Sequence, residues 1–152
     1  QVVREGQQTF RENLLLIYER KCLVTGCNIE SVLEAAHIIP YNGPKSNHPQ
    51  NGLLLRSDIH ILFDLYLISI DPESMTVILN NELEGSDYWN KFMEKSLNIL
   101  PKDIRLMPST EAITLHYREF KSRNHDFIIN LDVLMYLIDC AEFQSLHNQG
   151  GF

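Results

Sequence analysis

The 152-residue sequence has only three cysteines, Cys22, Cys27 and Cys140. An odd, small number supports no disulfide framework and points to a reducing compartment. Cys22 and Cys27 are spaced C-x4-C with no second pair to complete a zinc set. The thiols therefore read as structural groups, and no structural zinc is expected. No apolar run reaches the ~18 residues that cross a bilayer, which argues against a membrane-spanning chain. A basic start followed by an apolar segment is also missing, so no signal peptide is expected and a cytoplasmic setting follows. The chain begins at Gln1 rather than Met and reads as a piece of a longer protein. Repeats, low-complexity tracts and long linkers are absent.

Basic residues are in deficit. Thirteen Lys and Arg stand against 20 Asp and Glu, a net charge of −7. Such a balance is unusual for a nucleic-acid binder. The deficit is uneven, however. Residues 1–64 carry six basic against seven acidic side chains, whereas residues 65–152 carry seven against thirteen. With 44% hydrophobic and 22% charged residues, the composition is otherwise that of a folded globular domain.

The spacing of Phe10, Leu14, Ile17 and Tyr18 predicts a helix over 7–20. Residues 32–39 read as a strand stopped by Pro40, residues 41–50 as a loop, and 51–55 as a second strand. Ser57 and Asp58 are N-cap candidates for a helix through Asp64. These elements make a ββα unit. A hairpin is expected from 67–70 and 76–79 around Asp71-Pro72-Glu73-Ser74. Helices are expected at 87–97 and at 109–121 with Ser109 as cap, and 105–107 reads as extended. The apolar stretch 127–143 reads as a buried or interface helix.

Within the ββα unit, His37 stands in an apolar strand, Asn51 opens the second strand, and His60 lies in the helix four residues before Asp64. At i and i+4 the latter two share a helix face, where an imidazole and a carboxylate can bridge one metal ion or simply pair with each other. By itself His37 reads more readily as a core histidine than as a general base, and Asn51 as a turn residue. His116, on an amphipathic helix, reads as structural. No partner is evident for His125 or His147.

The order strand-His, loop, Asn, helix-His resembles the HNH endonucleases. The resemblance rests on Ala35-Ala36-His37-Ile38-Ile39-Pro40, on the run Asn51 to Asp64, and on Leu67 to Ile70. Gly6-Gln7-x-x-Phe10-Arg11 and Val24-Thr25-Gly26 add to it. It covers about 80 residues, and the segment after Leu79 is only loosely similar. It implies an α+β fold: a ββα-metal core at about 32–66 in a nuclease domain spanning 1–126. An N-terminal helix, a further hairpin and C-terminal helices flank that core, with 127–152 a helical extension. It also implies DNA phosphodiester hydrolysis, with His37 as general base, Asn51 bracing the loop and orienting His37, and His60 and Asp64 holding one divalent cation. Mg²⁺ is the expected ion, with Mn²⁺ or Ni²⁺ as alternatives. Many members carry a further metal ligand just before the base, where this chain has Ala36. Glu34, two residues back, reads first as an exposed strand carboxylate and only second as a substitute.

Lys45, His48 and Arg56 are the expected nucleic-acid contacts, with Asn42 and Asn47 on the same loop and Arg4, Arg11, Arg20 and Lys21 extending a basic face. The family suggests a bacterial restriction or antiphage effector acting on double-stranded DNA, linked to a sensor domain. Residues 127–143 offer a surface for homo-oligomerisation. The alternatives are a catalytically silent nucleic-acid-binding or assembly module, and an RNA nuclease.

Overall fold

The computed structural model describes residues 6–97 and 99–149, and the side chains among them outside 125–133 and 142–149. The chain divides into two units, 1–120 and 121–152.

The first helix, α1, spans Gln7–Ile17 and buries Phe10, Leu14 and Leu15 along one stripe. It stops short of the predicted end. Glu19 and Arg20 take positive φ, 52° and 57°, and turn the chain back so that Leu23 N–H can donate to Leu54 O at 2.9 Å. In the turn that follows, Cys22 N–H donates to Cys27 O at 2.9 Å.

Strand β1, Leu33–His37, pairs antiparallel with β2, Gly52–Arg56, with His37 opposite Gly52. The first strand ends at His37 because the next two amides are taken by Asn51. Ile38 N–H donates to Asn51 O and Ile39 N–H to Asn51 Oδ1, each at 2.9 Å. Helix α2, Ser57–Asp64, follows β2 directly, which completes the expected ββα unit. Neither expected cap residue caps it. Ser57 Oγ donates instead to Val32 O at 3.0 Å, and Asp58 is held by Arg56 and Tyr88. Leu53, Leu54 and Leu55 are all essentially fully buried. Three successive buried residues mean that both faces of β2 are covered, and α1 and α2 both pack against it.

A second antiparallel pair, β3 (Ile68–Asp71) and β4 (Thr76–Leu79), forms the predicted hairpin. Asp71 Oδ1 accepts from Glu73 N–H at 2.9 Å in its turn. Helix α3, Asp87–Phe92, begins at the cap Ser86, whose Oγ accepts from Trp89 N–H at 3.3 Å. It ends five residues before the predicted stop because 93–96 turn back onto β4. Glu94 N–H donates to Val77 O at 2.8 Å, and Val77 N–H to Lys95 O at 2.9 Å. Residues 104–106 form a single 3₁₀ turn rather than extended chain, capped by Asp103 Oδ1 on Arg105 N–H.

Where the sequence suggests two C-terminal helices there is one, α4, spanning Thr110–Gln149. No Pro or Gly interrupts those residues, so nothing forces a break. Ser109 Oγ accepts from Ala112 N–H at its start, as expected of the cap. His116, in the part of α4 belonging to the first unit, is buried. It stacks on Phe63 with ring centroids 3.6 Å apart, lies 2.8 Å from Ser69 Oγ through Nδ1, and donates from Nε2 to Phe63 O at 3.0 Å. In the second unit the side chains from Leu134 to Ile138 are exposed. Among the described residues no helix is long and apolar enough to cross a membrane.

Candidate active site

Two clusters share β1, one at each end. At its C-terminal end His37 is 9% exposed. Its ring lies flat on Phe10, with centroids 4.5 Å apart and planes at 12°. The edge of Tyr41 approaches at 5.6 Å. Nε2 is 2.8 Å from Asn47 Oδ1. The first turn of α1 comes close here. A Cβ on Gly6, whose φ is +76°, would sit 2.9 Å from Asn47 Nδ2.

The Asn51 side chain is not hydrogen-bonded to His37. Its Oδ1 accepts from Ile39 N–H, and its Nδ2 donates to Ile39 O at 3.1 Å and Ser46 O at 2.9 Å. Asn51 thus pins both ends of the loop between the strands, while the side chain that engages the imidazole is Asn47.

Near the other end of β1, His60 is bracketed by carboxylates. Nε2 lies 3.1 Å from Asp64 Oδ2, and Nδ1 lies 3.4 Å from Glu34 Oε2. The Asp64 bond, with Glu34 adding to it, pushes the His60 pKa above the usual histidine value, against the opposing effect of partial burial. Ala36 is fully buried and offers no donor atom. Strand alternation puts Glu34 on the same side of β1 as Ala36, so Glu34 reaches His60 from the face α2 packs against. The period-two pattern carried that signal.

Among the described residues no three His, Cys, Asp or Glu side chains are grouped so as to enclose a metal ion. The donors present are nonetheless of the right chemistry. One imidazole nitrogen and neighbouring carboxylate oxygens suit a hard or borderline divalent cation that keeps several waters.

The expected nucleic-acid contacts separate. Lys45 and His48 are exposed and border an open groove of about 510 Å³ that also includes Gln50, Ile39 and Ser109. His48 Nδ1 accepts from Gln50 N–H at 3.1 Å. Arg56 is bound to its own helix instead. Nε and Nη2 donate to the two Asp58 oxygens at 2.7 and 2.9 Å, and Tyr88 OH donates to Asp58 at 2.9 Å. This pairing holds the Asp58 carboxyl down at about 2. Arg11 donates to the carbonyls of Glu30 and Leu33, and Arg20 pairs with Glu30. Arg4 lies outside the described residues, and the side chains of His125 and His147 lie outside the described ones. Cys22 Sγ accepts from Thr25 N–H at 3.3 Å and from Arg56 N–H at 3.2 Å, a structural use of the thiol.

A strand pair is followed by a helix, with a buried histidine closing the first strand and a second histidine on the helix among carboxylates, a ββα arrangement. Residues 22–71 match the family model described as HNH endonuclease, and it is through this segment that the chain is similar to that family. A solved structure described as a modification-dependent TagI restriction endonuclease has a similar fold. The match has a TM-score of 0.53 at 21% identity over 78% of this chain. It covers 39% of that protein's chain, so the present chain corresponds to about two-fifths of it. No curated protein matches the sequence.

Proposed function

We propose that this domain hydrolyses phosphodiester bonds in DNA, with His37 as general base and His60 and Asp64 holding one divalent cation. The observation that carries the reading is the pair of histidines set by one hairpin-helix unit within the segment that matches the HNH family. The ring of His37 is held flat and nearly dry, and its bond to Asn47 uses one nitrogen, leaving Nδ1 to take a proton from water. A new P–O bond then forms from that water as the bond to the 3′ oxygen breaks, and the proton rests on the ring. When bound, a divalent cation supplies charge stabilisation at the phosphate and at the leaving oxygen. His60 Nε2 and Asp64 lie side by side for that purpose, and Glu34 at Nδ1 fixes the ring as outer partners of metal-bound histidines do. Lys45 and His48 on the exposed loop are the proposed phosphate contacts, with Arg56 as a further one only if it leaves Asp58.

Mg²⁺ is the proposed ion, and double-stranded DNA the proposed substrate. The fold shared with a restriction endonuclease supports a role as the nuclease part of a larger bacterial defence protein. The buried Ala36 and the acidic charge favour one other reading, a silent module that retains the shape. Isothermal titration with Mg²⁺ and Mn²⁺, alongside plasmid cleavage before and after EDTA, separates the two. The nuclease reading expects metal binding that His60→Ala abolishes, and cleavage that EDTA stops. Absence of both binding and cleavage would establish the silent module. Cleavage of structured RNA in preference to plasmid would reassign the substrate.

A further inference from the structure

The motif Gly6-Gln7-x-x-Phe10-Arg11 enters the chemistry above only through the Phe10 ring, and in the sequence Asn47 reads as one of the loop residues near phosphate. The structure gives both a different use. We infer that Asn47, backed by α1, is the positioning residue that sets the tautomer of His37. The inference rests on the general-base reading of His37 and names the groups that make it work.

Asn47 Oδ1 is 2.8 Å from His37 Nε2. A carbonyl oxygen can only accept, so Nε2 must carry the proton. In the neutral ring the lone pair is then on Nδ1, and among the described residues no group bonds to Nδ1. When that nitrogen takes a proton, the amide oxygen still faces a donor on a charged ring, so the same contact serves both states.

The start of α1 lies close to Asn47. A Cβ at Gly6 would meet Asn47 Nδ2 at 2.9 Å, and φ there is +76°, so glycine at this position lets the helix start approach the amide nitrogen without strain. Phe10, one turn on, covers the face of the imidazole at 4.5 Å. Arg11 ties the same helix to the entry of β1 through the carbonyls of Glu30 and Leu33. The amide, the ring and the strand are thereby held from one helix.

The test is ¹⁵N NMR of the imidazoles in the full chain at a pH where the rings are neutral, His37 being assigned by its loss in His37→Ala. It is run beside steady-state cleavage by the wild type, Asn47→Ala and Asn47→Asp. The expected result is a protonated Nε2 in the wild type and a mixture of tautomers in Asn47→Ala. In that variant kcat should fall about 10- to 100-fold, within the range general-base catalysis supplies, with KM nearly unchanged. Asn47→Asp retains an acceptor and should recover most of the rate. A protonated Nδ1 in the wild type would overturn the inference, as would wild-type kcat in folded Asn47→Ala. If Asn47→Ala does not fold, the wild-type tautomer alone decides. Cleavage by His37→Ala would instead overturn the general-base reading, and with it any catalytic use of the lock.

Discussion

Gly52 is the position where one methyl group should do the most damage. It lies opposite His37 in the β1–β2 ladder, in ordinary extended conformation with φ −130° and ψ 145°. On backbone grounds alone, alanine should stabilise, by about 0.4–1 kcal/mol, because it restricts the unfolded chain. Sterics oppose this. The new Cβ would stand 2.7 Å from Phe10 Cζ and from Leu14 Cδ1, and 2.8 Å from Phe10 Cε2. Carbon contacts settle near 3.5–4.0 Å, so these side chains, or α1 with them, must move by most of an ångström. Phe10 and Leu14 are fully buried, so neither can move aside without displacing its own neighbours. Overpacking of this kind costs about 1–3 kcal/mol, which outweighs the entropy gain. Gly52→Ala should therefore lose a net ~1–2 kcal/mol in urea unfolding, or roughly 2–8 °C in Tm for a chain of this size. Because Phe10 is the surface His37 rests on, cleavage should fall further than the unfolded fraction explains. A variant as stable as the wild type, or more so, would refute the packing argument.

Two more outcomes follow from buried polar groups. Tyr18 is almost fully buried, and burial pushes its phenol well above the ordinary tyrosine value. The unfolded chain ionises near pH 10, so this contribution to stability is intact below about pH 10 and declines as pH rises past it. Tyr18→Phe should flatten that alkaline decline in pH-dependent melts, at a cost near neutrality of about 1 kcal/mol for the lost bond to Gly52 O. An unchanged alkaline slope would count against it. Ser69→Ala removes the hydroxyl beside His116 Nδ1 at 2.8 Å in the core. Calorimetry should show about 1–3 kcal/mol of destabilisation, with metal affinity unaltered. A neutral result would mean that this bond is not made.

The hairpin-helix unit was legible because its signals are local. Pro40, the loop composition and the i, i+4 pair His60–Asp64 all lie within thirty residues. Asn51 bonds to both ends of the loop between the strands, while the side chain bonded to His37 is Asn47. What sequence could not give was the company of His37. Phe10 is 27 positions away, and nothing in a helical stripe tells a ring that fills the core from one that carries an imidazole. Glu34 stands two residues from the expected ligand position, which makes it an unobvious candidate in the sequence, yet strand alternation keeps both positions on one face. Helix ends at Ile17 and Phe92 were missed for another reason. Each is set by a return of the chain onto a strand, at Leu23–Leu54 and at Val77–Glu94, and no cap residue announces it.

The central claim is that His37 is the base of a metal-dependent nuclease. The direct measurement is the initial rate of supercoiled plasmid cleavage in Mg²⁺ by wild type and His37→Ala, both shown to be folded by their melting curves. Loss of about two to four orders of magnitude in the variant is the predicted result, the usual worth of a positioned general base. Equal rates in the two proteins would contradict the account.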